Sequence, residues 1–164
     1  FMEKGHRTIG FIGGPDRNID TGLPSMDIRE WSFRQSVSYY NCLNEDYILI
    51  SDKFTVEEGY RLGKELLTKK TIPTSLCVAS DTLAVGVLQA LNEAGVQVPE
   101  QVAVFSINDV NIAKYLSPPL TTIHIDIPII CETALDLLRN RVLSGGKITK
   151  SIFVNGTPVF RKSC

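Results

Sequence analysis

Short polar side chains collect directly after apolar runs in this sequence. Gly13-Gly14-Pro15 follows Thr8-Ile9-Gly10-Phe11-Ile12, Ser80-Asp81 follows the run from Ser75 to Ala79, and Asn108-Asp109 follows Val102 to Ile107. Asp126 closes the run from Leu120 to Ile125, Asp52 and Phe54 lie beyond Tyr47 to Ile50, and Arg29 stands near this set. Donors, acceptors and an aromatic ring suit a polyhydroxylated ligand. Hydroxyls need partners in a dry site, and the apolar face of a sugar ring stacks on an aromatic plate. Each residue also has a purely architectural reading. Asp81 and Asp126 are placed to cap helices, Arg29 to be a solvated helix residue, and Phe54 to staple a helix start. Only the convergence of the set carries the ligand reading.

Other chemistries have less behind them. No G-x-G-x-x-G, G-x-x-x-x-G-K-[ST] or G-x-S-x-G pattern occurs, so a nucleotide site or a serine nucleophile has no support. His6 lies in a polar opening, where a surface role is expected. His124 alternates with Ile123 and Ile125, which predicts a hydrogen-bonded interior imidazole rather than a base. Asp81, Asp109 and Asp126 are a candidate Mg²⁺ set for phosphoryl chemistry, weakened by the missing phosphate cradle. Cys42, Cys77, Cys131 and Cys164 are far apart and form no C-x-x-C pair, which reads as scattered reduced thiols.

The elements that must position these groups alternate. Apolar runs at Thr8–Ile12, Tyr47–Ile50, Ser75–Ala79, Val102–Ile107 and Leu120–Ile125 predict five strands, and the tail Ile152–Phe160 has room for one or two more. A helix is expected from Asp27, capped by that carboxylate with Glu30 reaching back, with Ile28, Trp31, Val37 and Tyr40 as its apolar side. Thr55 and Glu58 repeat the capping pattern before Leu62, Leu66 and Leu67. Ser80 and Asp81 open a third helix carrying Leu83, Ala84, Val87, Leu88 and Leu91, stopped by Gly95. Pro128 suits the first turn of a fourth, with Ile130, Ala134, Leu137, Leu138 and Val142 turned inward and Gly145-Gly146 past its end. Asp16 to Ser25 reads as a loop. Unbroken apolar strands alternating with helices predict a mostly parallel sheet between helical layers, an α/β three-layer sandwich whose ligands bind at the carboxyl ends of the strands. The regularity breaks after Ile125, where a second, incomplete lobe is expected to begin.

Composition agrees with a folded globular chain. Of 164 residues, 43% are hydrophobic and 21% charged, enough to bury a core. The 17 Lys and Arg against 18 Asp and Glu leave a formal charge of −1. Nucleic-acid binders rely on a basic surplus, so this stretch is not expected to grip DNA by itself. Asp81, Asn92 and Glu93 interrupt the longest apolar stretches, well short of the roughly 20 residues of a membrane span. The opening Phe1-Met2-Glu3-Lys4-Gly5-His6-Arg7 lacks the apolar centre of a secretory signal, and a cytoplasmic location is expected.

Three segments resemble one family. Gly5-His6-Arg7-Thr8-Ile9-Gly10-Phe11-Ile12-Gly13-Gly14, Cys77-Val78-Ala79-Ser80-Asp81-Thr82-Leu83-Ala84-Val85-Gly86 and Ser117-Pro118-Pro119-Leu120-Thr121-Thr122-Ile123 resemble the LacI/GalR transcriptional regulators, as does the ending Pro158–Cys164. The resemblance runs through the whole chain in the family's order. It implies the C-terminal lobe of a type I periplasmic-binding-protein-like effector domain over residues 1–125, a remnant of the N-terminal lobe over 126–151, and strands returning to the first lobe over 152–164. By position, Arg29 matches an arginine that contacts sugar hydroxyls, and Phe54 an aromatic ring against the sugar. Ser80 stands where Asn is common and Asn108 where Asp is common, while Ile125 and Ile127 line the cleft. Asp81 and Asp109 are expected to support the site. Val85, Leu88, Tyr115 and Leu116 are expected at a homodimer face, with a core role as the alternative.

The resemblance further implies a sugar effector, a galactoside or related hexose, with no cofactor, no catalytic residue and no membrane partner. Operator DNA is reached only through an N-terminal headpiece that this chain does not contain. With most of the opposing lobe missing, weak or no sugar binding is expected of this stretch alone. Two rivals stand beside this reading: an exported sugar-binding protein of a transporter, and the Mg²⁺-dependent enzyme built on Asp81, Asp109 and Asp126.

Overall fold

A computed structural model describes residues 1–17, 20–146 and 149–164. Asn18 and Ile19, in the expected loop, and Lys147 and Ile148, in the expected remnant, lie outside the described residues. In chain order the elements are β1 (Ile9–Gly13), β2 (Asp16–Arg17), β3 (Pro24–Ser25), α1 (Ile28–Tyr39), β4 (Ile48–Ile50), α2 (Val56–Leu67), β5 (Ser75–Val78) and α3 (Asp81–Glu93). There follow β6 (Ala103–Asn108), β7 (Thr121–His124), α4 (Ile127–Leu143) and β8 (Thr157–Val159), with short 3-10 turns at Glu45–Tyr47 and Asn111–Tyr115. The main sheet runs β4-β1-β5-β6-β7-β8 and is parallel except for β8, which pairs antiparallel with β7 through Thr122 opposite Val159. This is the expected α/β architecture. Predicted strand limits shift by one or two residues, and the predicted loop contains a two-residue hairpin, β2 with β3.

One face of the sheet is closed by α2 and α3. Ile12, Leu49, Leu76, Val78 and Val104 of the strands meet Leu62, Leu66, Leu83, Val87 and Leu91 of the helices in one buried cluster. The two helices approach until backbone nearly touches backbone. A Cβ on Gly59 would run into the Leu83 carbonyl, and one on Gly86 into the Val56 carbonyl and the Tyr60 amide, so only glycine permits this crossing.

The opposite face carries α1, with Phe33 tilted against Phe11 at 5.1 Å between ring centroids and Val37 buried. Of the apolar side expected from the sequence, only Val37 faces the core. Phe33 and Val37, four residues apart, hold α1 to the sheet, while Ile28, Trp31 and Tyr40 are exposed. Nor does Glu30 reach back to the cap: its carboxylate takes Arg34 Nε at 2.8 Å and is buried by that pairing. Beside α1 the strands leave a groove of about 680 Å³ lined by Cys77, Phe105, Ile107 and Ile123, so burial on both faces of every strand is not realised.

α4 contradicts its expected orientation outright. No residue of this helix is buried, and Ile130, Ala134, Leu138 and Val142 are exposed. Its apolar stripe has the helical period, but burial requires a facing element, and among the described residues none closes over it. His124 is likewise not interior: its side chain is 47% exposed, and only the expected hydrogen bond, to Asp109, is present. The four cysteines are free thiols.

Candidate functional site

The site is assembled at the carboxyl ends of β1, β5, β6 and β7. α1 starts after Asp27, whose carboxylate accepts the Arg29 amide at 2.7 Å and so caps the helix. The same carboxylate also holds the Arg29 side chain, taking Nε at 2.8 Å on Oδ1 and Nη2 at 2.6 Å on Oδ2. Nη1 donates to the Ala79 carbonyl, one residue past β5, at 2.7 Å. The guanidinium carbon stands 4.8 Å from the Phe54 ring centroid. That ring lies hard against Gly14, where a Cβ would come within 2.9 Å of Phe54 Cε2. Desolvation pushes the Asp27 carboxyl up, yet the hydrogen bonds and charge of Arg29 outweigh it and hold the group below the usual carboxylate range. Donating to the Asp27 carboxylate raises Arg29 in turn, against the opposing effect of its burial.

Ser80 and Asp81 divide their labour. Ser80 Oγ caps α3 by accepting the Leu83 amide at 3.3 Å, and the residue is buried. Asp81 caps nothing. Its fully buried carboxylate accepts from Ser106 Oγ, from Thr122 Oγ1 at 2.7 Å and from the Val110 amide at 2.8 Å, tying α3 to β6, β7 and the turn between them. That turn is left-handed at two residues, Asn108 with φ 122° and Asp109 with φ 56°. Asp109 is gripped from both sides, by Arg161 Nη2 at 2.6 Å on Oδ1 and His124 Nδ1 at 3.1 Å on Oδ2. Arg161 also donates to the Leu120 carbonyl at 2.8 Å, which fastens the chain's last residues to the strand ends. Asn108 is thereby presented at the surface of the edge.

Of the expected ligand residues, Arg29 and Phe54 are in direct contact, and Ser80 adjoins the Ala79 carbonyl that Arg29 holds. Ile125 is half-buried just past β7 and Ile127 exposed at the start of α4. Asp81 and Asp109 are engaged by protein donors. These engagements, with Asp126 capping α4 through the Ile129 amide at 3.1 Å, also leave the three carboxylates serving separate elements. Among the described residues no three metal-ligating side chains converge. Sequence reasoning gave Asp27 a capping role alone and missed Arg161, Ser106 and Thr122. Asp27 carried a signal, its position two residues before Arg29; Arg161, 52 residues from Asp109, carried none.

At the expected dimer face, Leu88 belongs to the core and Leu116 packs against it. Val85 is half-buried and borders the groove between α3 and Leu116, while Tyr115 is 70% exposed with Lys114 Nζ 5.0 Å above its ring. No described helix is long and apolar enough to cross a membrane.

Comparison with known proteins gives this geometry its context. The family model for a periplasmic binding protein-like domain matches residues 1–164. The chain is 44% identical over 163 residues to the HTH-type transcriptional regulator GanR of Bacillus subtilis (strain 168), covering 98% of this chain and 49% of that protein. It is 35% identical over 165 residues to the HTH-type transcriptional regulator GalR of Lacticaseibacillus casei, covering 99% of this chain and 50% of that protein. The chain thus spans about half the length of the curated relatives it matches. Among solved structures, the Escherichia coli transcriptional repressor ascG superposes with a TM-score of 0.79 at 27% identity, covering 99% of this chain and 57% of that one. A transcriptional regulator CelR–cellobiose complex superposes with a TM-score of 0.86 at 24% identity, over 99% of this chain and 48% of that one, and shows the shared fold. From Ile9 at the start of the sheet to Arg161 at its clamp, the chain belongs to the periplasmic-binding-protein-like domains of the LacI/GalR regulators.

Proposed function

We propose that this chain is the effector-binding and dimerisation part of a longer LacI/GalR-type repressor, released from its operator by a sugar. The observation that carries the reading is Arg29, fixed between Asp27 and the Ala79 carbonyl with the Phe54 ring beside it, so that donors and an aromatic plate share one sheet edge. A sugar ring stacks on such a plate while its hydroxyls pair with Arg29, Ser80 and Asn108, and Ile125 and Ile127 supply apolar wall. Residues 1–125 and 152–164 form one lobe on this reading, and 126–151 belong to the other. The exposed apolar residues of α4 support that division, because a helix of a second lobe meets its packing partners outside this chain. Effector binding favours one relative orientation of the lobes, and a homodimer across the face of Val85 and Tyr115, with Leu88 and Leu116 packed beneath it, passes it to the DNA-reading parts. A regulator of this kind works where the operator is, in the cytoplasm. Relatives named as transcriptional regulators, and a structural neighbour described as a cellobiose complex, support the assignment. Both an exported binding protein and a magnesium enzyme lack comparable support.

The test is a thermal-shift screen of neutral hexoses and galactosides on the full-length regulator. One sugar should raise the melting temperature, and Arg29→Ala should abolish that shift while leaving the unliganded protein folded. A full-length variant that responds as strongly without Arg29 overturns the assignment of the site, and a reading frame with no DNA-binding headpiece overturns the regulator.

A further inference from the structure

Arg29 carries five N–H donors, and three are already used: Nε and one on Nη2 by Asp27, and one on Nη1 by Ala79. One donor therefore remains on each terminal nitrogen. The guanidinium cannot turn to offer others without breaking a fork whose Asp27 side chain is itself only 6% exposed and pinned as the cap of α1. Its charge is compensated at 2.6 Å, so the two remaining donors act as directed hydrogen bonds more than as a free cation.

We infer that Asp27 is a positioning and specificity-determining residue, which holds Arg29 as a neutralised two-donor fork matched to neighbouring hydroxyl oxygens of an uncharged sugar and poorly matched to a phosphorylated one. This rests on the proposed sugar site. Two features separate it from simple helix capping. Capping uses one carboxylate oxygen and the Arg29 amide, whereas the fork uses both oxygens and the side chain. Asn and Ser cap as well as Asp does, so replacing Asp27 by either keeps the cap and removes the charge that the fork requires.

The experiment has two arms. In the first, nitrogen-15 NMR of the unliganded 164-residue chain follows the Arg29 side chain. Wild type should show a protected Nε–H and slow guanidinium rotation; Asp27→Asn and Asp27→Ser should lose both while the α1 backbone signals persist. Equal rotation in all three proteins overturns the inference. In the second, the full-length regulator is titrated with D-galactose and with D-galactose 6-phosphate. Wild type should prefer the neutral sugar, and Asp27→Asn should narrow that preference by at least about tenfold. An unchanged preference overturns the specificity claim. Should wild type bind neither sugar, the specificity claim fails, while the thermal-shift screen separately decides the sugar reading and the NMR arm decides whether Asp27 holds Arg29.

Discussion

Thr122 Oγ1 donates a 2.7 Å hydrogen bond to Asp81 Oδ1, joining two fully buried residues 41 positions apart. With Ser106 and the Val110 amide on the same carboxylate, Asp81 holds the ends of β6 and β7 against α3, and the Asn108-Asp109 turn rides on that junction. Removing the carboxylate strands a backbone donor and two hydroxyls inside the protein. Asp81→Ala should therefore destabilise the chain by about 3 kcal/mol. Asp81→Asn should cost about 1 kcal/mol, because its carbonyl keeps the Val110 amide while its NH₂ donates to hydroxyls free to reverse their roles. Urea unfolding of the two variants checks the order, and equal losses would refute it.

The α2–α3 crossing makes a second quantitative claim. A methyl group on Gly86 meets backbone atoms of Val56 and Tyr60, which have no rotamer to yield. Gly86→Ala should cost at least about 2 kcal/mol. Gly95 lies past the end of α3 with φ 72° and open space around its missing Cβ, so Gly95→Ala should cost only about 1 kcal/mol of backbone strain. Thermal melts of both proteins test the contrast.

A third prediction concerns pH. Tyr60 Oη donates to Glu93 at 2.6 Å, Lys64 Nζ stands at 3.0 Å and Gln89 donates at 3.1 Å, a bridge from α2 to α3. The tyrosine hydrogen bond, followed by Lys64 and Gln89, lowers the Glu93 carboxyl from 4.5 to about 2. A depressed carboxylate stabilises the fold above its unfolded value and loses that contribution as pH falls through the folded one. The bridge is thus complete above about pH 5 and fades between 4.5 and 2. Carbon-13 titration of Glu93 should show the low midpoint, and Tyr60→Phe should raise it. A midpoint near 4.5 in the wild type would contradict the bridge.

Helix caps and strand runs were legible because they are local. Thr55, Ser80 and Asp126 each accept an amide three residues ahead, a geometry that depends on no other part of the chain. Orientation was less legible. α1 and α4 both show apolar residues at helical spacing, yet Phe33 and Val37, not Ile28 and Trp31, decided which side of α1 is buried, and no residue of α4 is buried. Periodicity says that a helix has a face; which neighbour covers it is a property of the assembled layers.

By itself the sequence determined the order of elements, their parallel stacking and the appearance of short polar residues at the carboxyl ends of the strands, since these follow from apolar run length, capping chemistry and chain connectivity. Tertiary structure alone decided that Asp27 and Ala79 aim Arg29 beside Phe54, that Asp81 is a buried hub rather than a cap, and that Arg161 returns to grip Asp109. Those outcomes join residues that are distant in the chain or side chains that fold back on their own helix. Their partners are fixed by the packing of the sheet and by the need of buried polar groups for a mate.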